Sequence, residues 1–371
     1  MRILGSTGVM AASVALLLQP AVVAVAKPTA PPPSQVSVLA SGLNNPRGLE
    51  FGPDGKLYVA EAGYSVPNGQ STTPQQCAQV GEAGPYTGAG TSRISRIDLQ
   101  GNRTTVVDGL PSSQTQPGLG SLVSGVADVA FVKGQLYAIE AGAGCSHGLA
   151  GTDNALLKVN SDGTTTPVVN LSEYQKAHPV AKPDAGDFEP DGTWYDMVAV
   201  GGSLYAVEPN HGEIVRISPT TGAVSRVVDV SATQGHIVPT AIAYHGNFYF
   251  SQLGEFPVNP GTEKIFKLTP SGKIKQVATG LTTVLGLAFG KHDRLYALES
   301  MTQAGFPATS QNPGPGRIVQ IDPSGKQTTI YTGLTVPTAM VMGPDGALYV
   351  SNKGFGTPAG AGEILRVTVP K

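Results

Sequence analysis

The sequence reads NNPRGLEFGPDGKLYVAEAG at residues 44–63 and, after an insertion, SRISRIDLQGNRTTVVDGL at residues 92–110. Related units follow along the chain, and each has an apolar residue followed by Tyr in its second strand. These pairs are Leu57-Tyr58, Leu136-Tyr137, Leu204-Tyr205, Phe248-Tyr249, Leu295-Tyr296 and Leu348-Tyr349. Turns such as Gly52-Pro53-Asp54-Gly55 separate alternating β-branched segments, so each unit predicts four antiparallel strands. Six such units predict an all-β fold, a six-bladed β-propeller with four-stranded blades.

A strand-like segment that precedes the first unit is expected to close the ring. Residues 36–43, VSVLASGL, match the end of a unit, whereas the last unit stops after its third strand, GEILRVTV at residues 362–369. This N-terminal strand would complete the last blade and remove the exposed sheet edge that an open array leaves. The propeller domain is therefore expected to span residues 36–371.

The N-terminal residues have the pattern of a secretory signal. A largely apolar run from Val9 to Val25 ends in the small-residue site Ala24-Val25-Ala26. We expect a signal peptide at residues 1–26, cleaved near Ala26, and a Pro-rich linker at residues 27–35. An uncleaved membrane anchor is the alternative, but Pro20 interrupts the helix that it would need. The mature chain would have no membrane span and would be extracellular or periplasmic.

The two cysteines, Cys77 and Cys145, fit an exported protein. They lie in the insertions of the first two blades, and both follow a second strand, so their loops begin on the same rim. A disulfide is the prediction, and two free thiols are the weaker alternative because exposed thiols oxidise outside the cell. His147 lies close to Cys145, but two cysteines favour a disulfide over a zinc site.

The charge pattern excludes one class of partner. The formal net charge is −2 and the sequence has no basic run, so nucleic acid is not expected as a partner. The sequence also contains no H-E-x-x-H or P-loop motif. We expect a monomer.

The long segments are predicted to lie on one rim of the ring, which we call the long-loop face. Strand direction alternates, so the ends of the second and fourth strands reach the same rim. The segments are 64–91, 143–153, 172–193, 253–262, 300–315 and 353–361. Long loops on a rigid scaffold are where binding residues concentrate, so a site is expected on this face.

Carboxylates are predicted to gather near the central channel on this face. The residues three positions after each repeat Tyr are Glu61, Glu140, Glu208, Gln252, Glu299 and Asn352. Asp128 and Asp196 begin two inner strands, so with Glu140 and Glu208 they form a candidate site for a divalent cation such as Ca²⁺. The same carboxylates could instead act as acid and base. The structural alternative is that they cap strand ends. Recurrence in six units favours that alternative, except at the two aspartates, which do not recur in every blade.

Six further residues are candidates for ligand binding on the long-loop face. They are Arg47, Glu61, Trp194, Tyr195, His211 and Glu299. Trp194 and Tyr195 end the long 172–193 segment and could line a pocket, although core packing is an equal alternative. His211 could reach a ligand, but a histidine in a turn is usually only solvated.

The sequence resembles a known family. PRGLEFGPDGKLYVAEAG, the Cys-bearing insertion and SRISRIDLQGNRTTVVDGL are similar to the ScyD/ScyE family of secreted bacterial propellers, over residues 36–371. This resemblance implies a six-bladed NHL-like propeller and brings no catalytic motif. A broader resemblance links the units to calcium-dependent gluconolactonases. Asp128 and Asp196 match their kind of metal-ligand position. The remaining ligands are not supplied by Arg47, Gly48, Thr240 and Gly286.

The leading functional expectation is a secreted, non-catalytic platform that binds a small molecule, glycan or protein on the long-loop face. The alternative is a metal-dependent lactonase, esterase or lyase with its site at the mouth of the central channel. Only this alternative requires a cofactor, a divalent cation such as calcium. A propeller fold does not choose between the two, because propellers carry many functions.

Overall fold

Antiparallel sheets follow one another along the chain in the computed structural model. The structure describes residues 34–64, 66, 68–78, 80, 83–116, 122–269, 271–304 and 314–370. The predicted signal peptide and most of the predicted linker lie outside these residues. No helix in these ranges is long and apolar enough to cross a membrane.

The strands form six sheets, and the predicted six-bladed β-propeller is confirmed. Blade 6 holds β1 (Val36–Leu43), β23 (Ala339–Met342), β24 (Ala347–Asn352) and β25 (Gly362–Thr368). Blade 1 holds β2 (Pro46–Phe51), β3 (Leu57–Glu61), β4 (Thr87–Ile97), β5 (Arg103–Gln114) and β6 (Val123–Ser124). Blade 2 holds β7 (Val126–Val132), β8 (Gln135–Glu140), β9 (Ala155–Val159) and β10 (Thr165–Asn170).

The remaining three blades follow the same plan. Blade 3 holds β11 (Met197–Val200), β12 (Ser203–Glu208), β13 (Glu213–Ile217) and β14 (Val224–Asp229). Blade 4 holds β15 (Pro239–Tyr244), β16 (Phe248–Gln252), β17 (Glu263–Leu268) and β18 (Ile274–Leu281). Blade 5 holds β19 (Val284–Phe289), β20 (Leu295–Glu299), β21 (Gly316–Ile321) and β22 (Gln327–Leu334).

Blade 1 differs from the four-stranded pattern. Its strands β4 and β5 extend beyond the repeat unit, and the two-residue strand β6 adds a fifth member to the sheet. The insertion supports this extension, because Gln70 forms a β-bridge with Gly88. Register shifts in the β4–β5 pairing between Ala89 and Ser95 bend the extended ladder, as β-bulges do.

The first and last strands of the propeller are neighbours. β1 pairs antiparallel with β25, from Val36 opposite Val367 to Leu43 opposite Gly362. The apolar core of the described residues lies between adjacent blades. One of its clusters contains Leu43 and Ile364 of blade 6 together with Val59 of blade 1. The first and last strands of the propeller are thus joined by strand pairing, and blades 6 and 1 are joined by side-chain packing.

Short helices follow the outer strands of blades 2 and 3. Helix α1 (Leu171–Ala177) begins after Asn170, whose side chain accepts a hydrogen bond from the Glu173 amide. Helix α2 (Val230–Gln234) begins after Asp229, which accepts from the Ala232 amide in the same way. Each N-cap ends the strand and turns the chain onto the long-loop face.

Candidate functional site

A disulfide joins the two insertions on the long-loop face. Cys77 and Cys145 are bonded, with 6.1 Å between their Cα atoms, which confirms the predicted pair. The Thr72 hydroxyl also donates to the Cys145 carbonyl at 2.7 Å. The blade 1 insertion is therefore fixed against the blade 2 insertion.

A cavity of about 390 Å³ opens on the same face. Its wall comes from the insertion of blade 1, the long loop that precedes blade 3, and loops of blades 4 and 6. Six aromatic side chains line it: Tyr86, Phe188, Trp194, Tyr195, Phe256 and Phe355. The Trp194 indole nitrogen and the Thr193 hydroxyl are buried and have no hydrogen-bond partner in the described ranges. The cavity wall is thus mainly apolar and includes six aromatic side chains.

Alternating carboxylates hold the long loop that precedes blade 3. Asp187 lies 3.0 Å from the ring of His236 in blade 4. Glu189 accepts a hydrogen bond from the Tyr86 hydroxyl of the blade 1 insertion. Asp191 accepts from Ser146 of the blade 2 insertion and from Lys176 of helix α1. One extended segment is therefore bound to three other parts of the ring, which gives the cavity a fixed wall.

His147 is buried beside this wall. Its Nδ1 lies 2.6 Å from the Ala143 carbonyl oxygen, and its Nε2 lies 3.9 Å from Glu189. The ring of Tyr86 meets the His147 ring edge-on at 4.7 Å. Burial lowers the pKa of His147, but Glu189, the Ala143 carbonyl and Asp191 together outweigh burial and leave this pKa raised. Tyr86, His147 and Glu189 thus form one polar cluster behind the aromatic wall.

Arg47 lies at the channel end of the cavity. Its guanidinium donates to the Val123 carbonyl in strand β6 at 2.5 Å and stacks over the Phe355 ring at 5.0 Å. Tyr195 lies next to it and donates through its hydroxyl to the Thr338 carbonyl at 2.8 Å. Burial raises the pKa of Tyr195 to about 12, so its hydroxyl remains a neutral donor.

Asp128 and Asp196 meet in the central channel. Asp128 accepts from the Met197 amide at 2.9 Å, and Asp196 accepts from the Ile242 amide at 2.8 Å. Burial and the mutual proximity of the two carboxyls raise the pKa of Asp128 well above its usual value. The pair needs the space left by Gly48, because a Cβ there would lie 1.8 Å from Oδ1 of Asp128.

The two glutamates of the predicted metal site bind loop amides. Glu140 accepts from the Gly142 amide at 2.8 Å, and burial raises its pKa to about 8. Glu208 accepts from the amides of Thr193 and His211, both at 2.7 Å. The residues that the structure describes contain no group of three or more His, Cys, Asp or Glu side chains placed to hold a metal ion.

Glu61 and Glu299 make the same capping contact in different blades. Glu61 accepts from the Asn44 amide at 2.6 Å, and Glu299 accepts from the Thr282 amide at 2.6 Å. Each also pairs with an arginine of the neighbouring strand. Both carboxylates join the segment that enters a blade to the end of its second strand, as the structural alternative predicted.

The cavity contains half of the six predicted ligand-binding residues. Arg47, Trp194 and Tyr195 line it, whereas Glu61, His211 and Glu299 are not among its lining residues. Sequence reasoning missed Tyr86, Phe188, Glu189 and His236. The alternating acids of DFEPD, residues 187–191, are a signal that could have pointed to the wall.

Comparison with known proteins supports the fold. No protein-family model and no curated protein matches the chain. A gluconolactonase from Xanthomonas campestris has a similar structure, with a TM-score of 0.54 and 11% identity over 91% of this chain and 90% of that one. The PQQ-bound aldose sugar dehydrogenase from Streptomyces coelicolor gives 0.54 and 14% identity over 91% and 99%. The fold is that of the six-bladed β-propellers. At such identities the likeness extends to the fold and not to the activity.

Proposed function

We propose that this protein is an exported β-propeller that binds a small aromatic molecule in the cavity of its long-loop face. The observation that carries this proposal is the cavity itself, about 390 Å³ in volume and lined by six aromatic side chains. Small-molecule sites typically measure about 300–1,000 Å³ and combine apolar walls with a few polar groups. A planar apolar ligand would find aromatic stacking surfaces here.

The fixed walls favour tight binding. The Cys77–Cys145 disulfide, the Asp187–His236 contact and the Tyr86–Glu189 hydrogen bond hold the loops around the cavity. A site that is already ordered loses less conformational entropy when a ligand enters. The small size of the cavity also favours a small molecule over a protein, because protein interfaces bury about 800 Å² on each partner.

We also propose that the chain belongs to the ScyD/ScyE family and is exported through a signal peptide at residues 1–26. The Cys-bearing insertion between its two repeat halves supports the family, as does the repeat over residues 36–371. The Cys77–Cys145 disulfide supports export, because such bonds persist in oxidising compartments.

Fluorescence of Trp194 tests the binding proposal directly. Trp194 is the only tryptophan in the chain and it lines the cavity, so its emission reports occupancy there. Titration with the neutral aromatic probe N-phenyl-1-naphthylamine should quench this emission and saturate at one probe per chain. Phe188→Ala removes one aromatic wall and should weaken probe affinity about tenfold.

Phe289→Ala is the matched control. Phe289 is also half-buried and packs against other aromatic rings, but it lies in strand β19 and does not line the cavity. Its replacement should leave probe affinity unchanged. A quenching curve that never saturates, or equal losses in both variants, would refute the proposed site.

A further inference from the structure

We infer that the ligand of this cavity carries a negative charge, such as a carboxylate, and that Arg47 binds it. This inference rests on the proposed function, because it names the chemical class of the molecule in the same cavity. It therefore predicts an aromatic or apolar body with an anionic group at the channel end.

Arg47 differs from most of the other arginines that the structure describes. Six of them form ion pairs with carboxylates: Arg93, Arg96, Arg103, Arg226, Arg317 and Arg366. Arg47 is only 6% exposed, and no carboxylate lies within ion-pair distance of it in the part of the chain that is described. It is thus a buried cation without a protein counter-ion.

The present contacts satisfy only part of its guanidinium. A guanidinium has five N–H donors, and burying an unpaired charge costs several kcal/mol. The Val123 carbonyl accepts one hydrogen bond, the Phe355 ring offers a cation–π contact, and the Tyr195 hydroxyl lies within hydrogen-bonding reach. The Tyr195 hydroxyl is neutral, because burial raises its pKa to about 12, so none of these partners carries a negative charge. A ligand carboxylate would provide one, together with two parallel charge-assisted hydrogen bonds.

The position of Arg47 is fixed before any ligand arrives. Its backbone carbonyl accepts from the Ser351 hydroxyl at 2.6 Å, and that of Pro46 accepts from the Thr338 hydroxyl at 2.6 Å. The Phe355 ring and the Val123 carbonyl then orient the guanidinium. Donors held in this way bind an anion with little loss of side-chain entropy.

The other charged groups of the cavity wall have partners or face solvent. Glu189 accepts from Tyr86 and lies 3.9 Å from His147, so its carboxyl already has protein partners. His236 pairs with Asp187. Glu255 also lines the cavity, but it is exposed. Among the described lining residues, Arg47 is the buried charge that remains for a ligand.

Two probes with the same aromatic skeleton but different charge test whether the cavity prefers an anion. 8-Anilinonaphthalene-1-sulfonate differs from N-phenyl-1-naphthylamine only by its sulfonate, and both can be followed through Trp194. The wild-type protein should bind the sulfonate probe at least about tenfold more tightly than the neutral one. Arg47→Met should abolish this preference, because it should weaken binding of the sulfonate probe about tenfold more than binding of the neutral probe. Arg216→Met removes an exposed arginine that does not line the cavity, and it should change neither affinity.

Each outcome separates this inference from the proposed function. Saturable binding of the neutral probe without a preference for the sulfonate would overturn the anion site and leave the proposed function intact. No saturable binding of either probe would overturn both. If Arg47→Met does not fold, competition on the wild-type protein decides instead. 2-Naphthoate should displace the neutral probe at about tenfold lower concentration than 2-naphthalenemethanol, and equal potency would refute a role for Arg47.

Discussion

In blades 2 and 3, carboxyl groups bind the inner strand of the following blade, whereas in blades 4 and 6 hydroxyl groups make the corresponding contact. Asp128 of blade 2 accepts from the Met197 amide of blade 3. Asp196 of blade 3 accepts from the Ile242 amide of blade 4. Both carboxyls are buried beside each other, so this part of the ring holds ionisable groups at a place where charge is costly.

In the second half of the ring, blades 4–6, neutral threonine hydroxyl groups join adjacent blades. Thr240 of blade 4 donates to the Val284 carbonyl of blade 5 at 2.7 Å. Thr338 precedes the inner strand of blade 6 and donates to the Pro46 carbonyl of blade 1 at 2.6 Å. A hydroxyl is therefore sufficient to join adjacent blades. The fold alone does not require acids in blades 2 and 3, and their presence should make the stability of that half depend on pH.

The largest expected effect concerns the seam between the two halves. Deleting residues 36–43 removes strand β1, exposes the edge of β25 and removes the buried Leu43 from the core between blades 6 and 1. Relative to a chain that starts at Ser34, the unfolding midpoint should fall by more than about 10 °C, or the protein should aggregate. Thermal unfolding with size-exclusion chromatography measures both. An unchanged midpoint with a monomeric elution profile would show that the ring does not need this strand.

The next largest effect should be confined to blades 1–3, which form the first half of the ring. Replacing Cys77 and Cys145 by Ser opens a link between residues 68 positions apart, and the chain-entropy model gives a loss of about 4 kcal/mol in the free energy of unfolding. Urea denaturation measures the loss, with the reduced wild-type protein as a control. Hydrogen exchange should quicken in the insertions of blades 1 and 2 and not in blades 4–6. An equal increase of the hydrogen-exchange rate in all blades would contradict the expected difference between blades 1–3 and blades 4–6.

The sequence was sufficient for the fold because the repeat determines it locally. The paired apolar residue and Tyr mark every second strand, and turns such as Gly343-Pro344-Asp345-Gly346 mark the hairpins. The disulfide was also predictable, since topology places Cys77 and Cys145 in loops that begin on the same rim. Local patterns of this kind need no knowledge of distant contacts.

The candidate site was only partly predictable, because distant segments build it. Arg47 and Tyr195 could be placed near the channel from strand positions alone. The contact between Tyr86 and Glu189 could not, since 103 positions separate them and neither belongs to the repeat. The role of Glu208 was equally hidden, because it depends on which loop amides the folded chain brings to it.

Two glutamates at equivalent positions should respond differently in the two halves. Glu299→Gln in blade 5 breaks a buried charge pair with Arg317 and should cost about 3 kcal/mol in the free energy of unfolding. Glu140→Gln in blade 2 should cost less than about 1 kcal/mol at pH 7, because burial raises the pKa of Glu140 to about 8 and its carboxyl is already largely protonated. Urea denaturation at pH 7 compares the two variants. Equal losses would mean that Glu140 acts as a charged group.

Buried carboxyl groups in blades 1–3 determine whether the free energy of unfolding rises or falls with pH. Burial raises the pKa of Glu50 to about 7 and that of Asp196 to about 6. The folded state therefore holds these protons more tightly than the unfolded chain, whose carboxyls titrate near pH 4. Their stabilising contribution is complete below about pH 4 and is lost as the pH rises through about 6 to 7. The free energy of unfolding should fall between pH 5 and pH 8, as urea denaturation would measure.

The smallest expected effect most directly compares the carboxyl contacts between blades with the hydroxyl contacts. Asp128→Asn keeps an acceptor for the Met197 amide but removes a carboxyl whose pKa burial raises, so the fall in the free energy of unfolding between pH 5 and pH 8 should be smaller than in the wild-type protein. Thr240→Val removes the neutral hydrogen bond to Val284 and should cost about 1 kcal/mol equally at every pH. Urea denaturation of both variants at pH 5 and pH 8 provides the four values needed. If the aspartate variant keeps the wild-type slope, or if the threonine variant changes it, then the carboxyl and hydroxyl contacts between blades do not differ in the way proposed here.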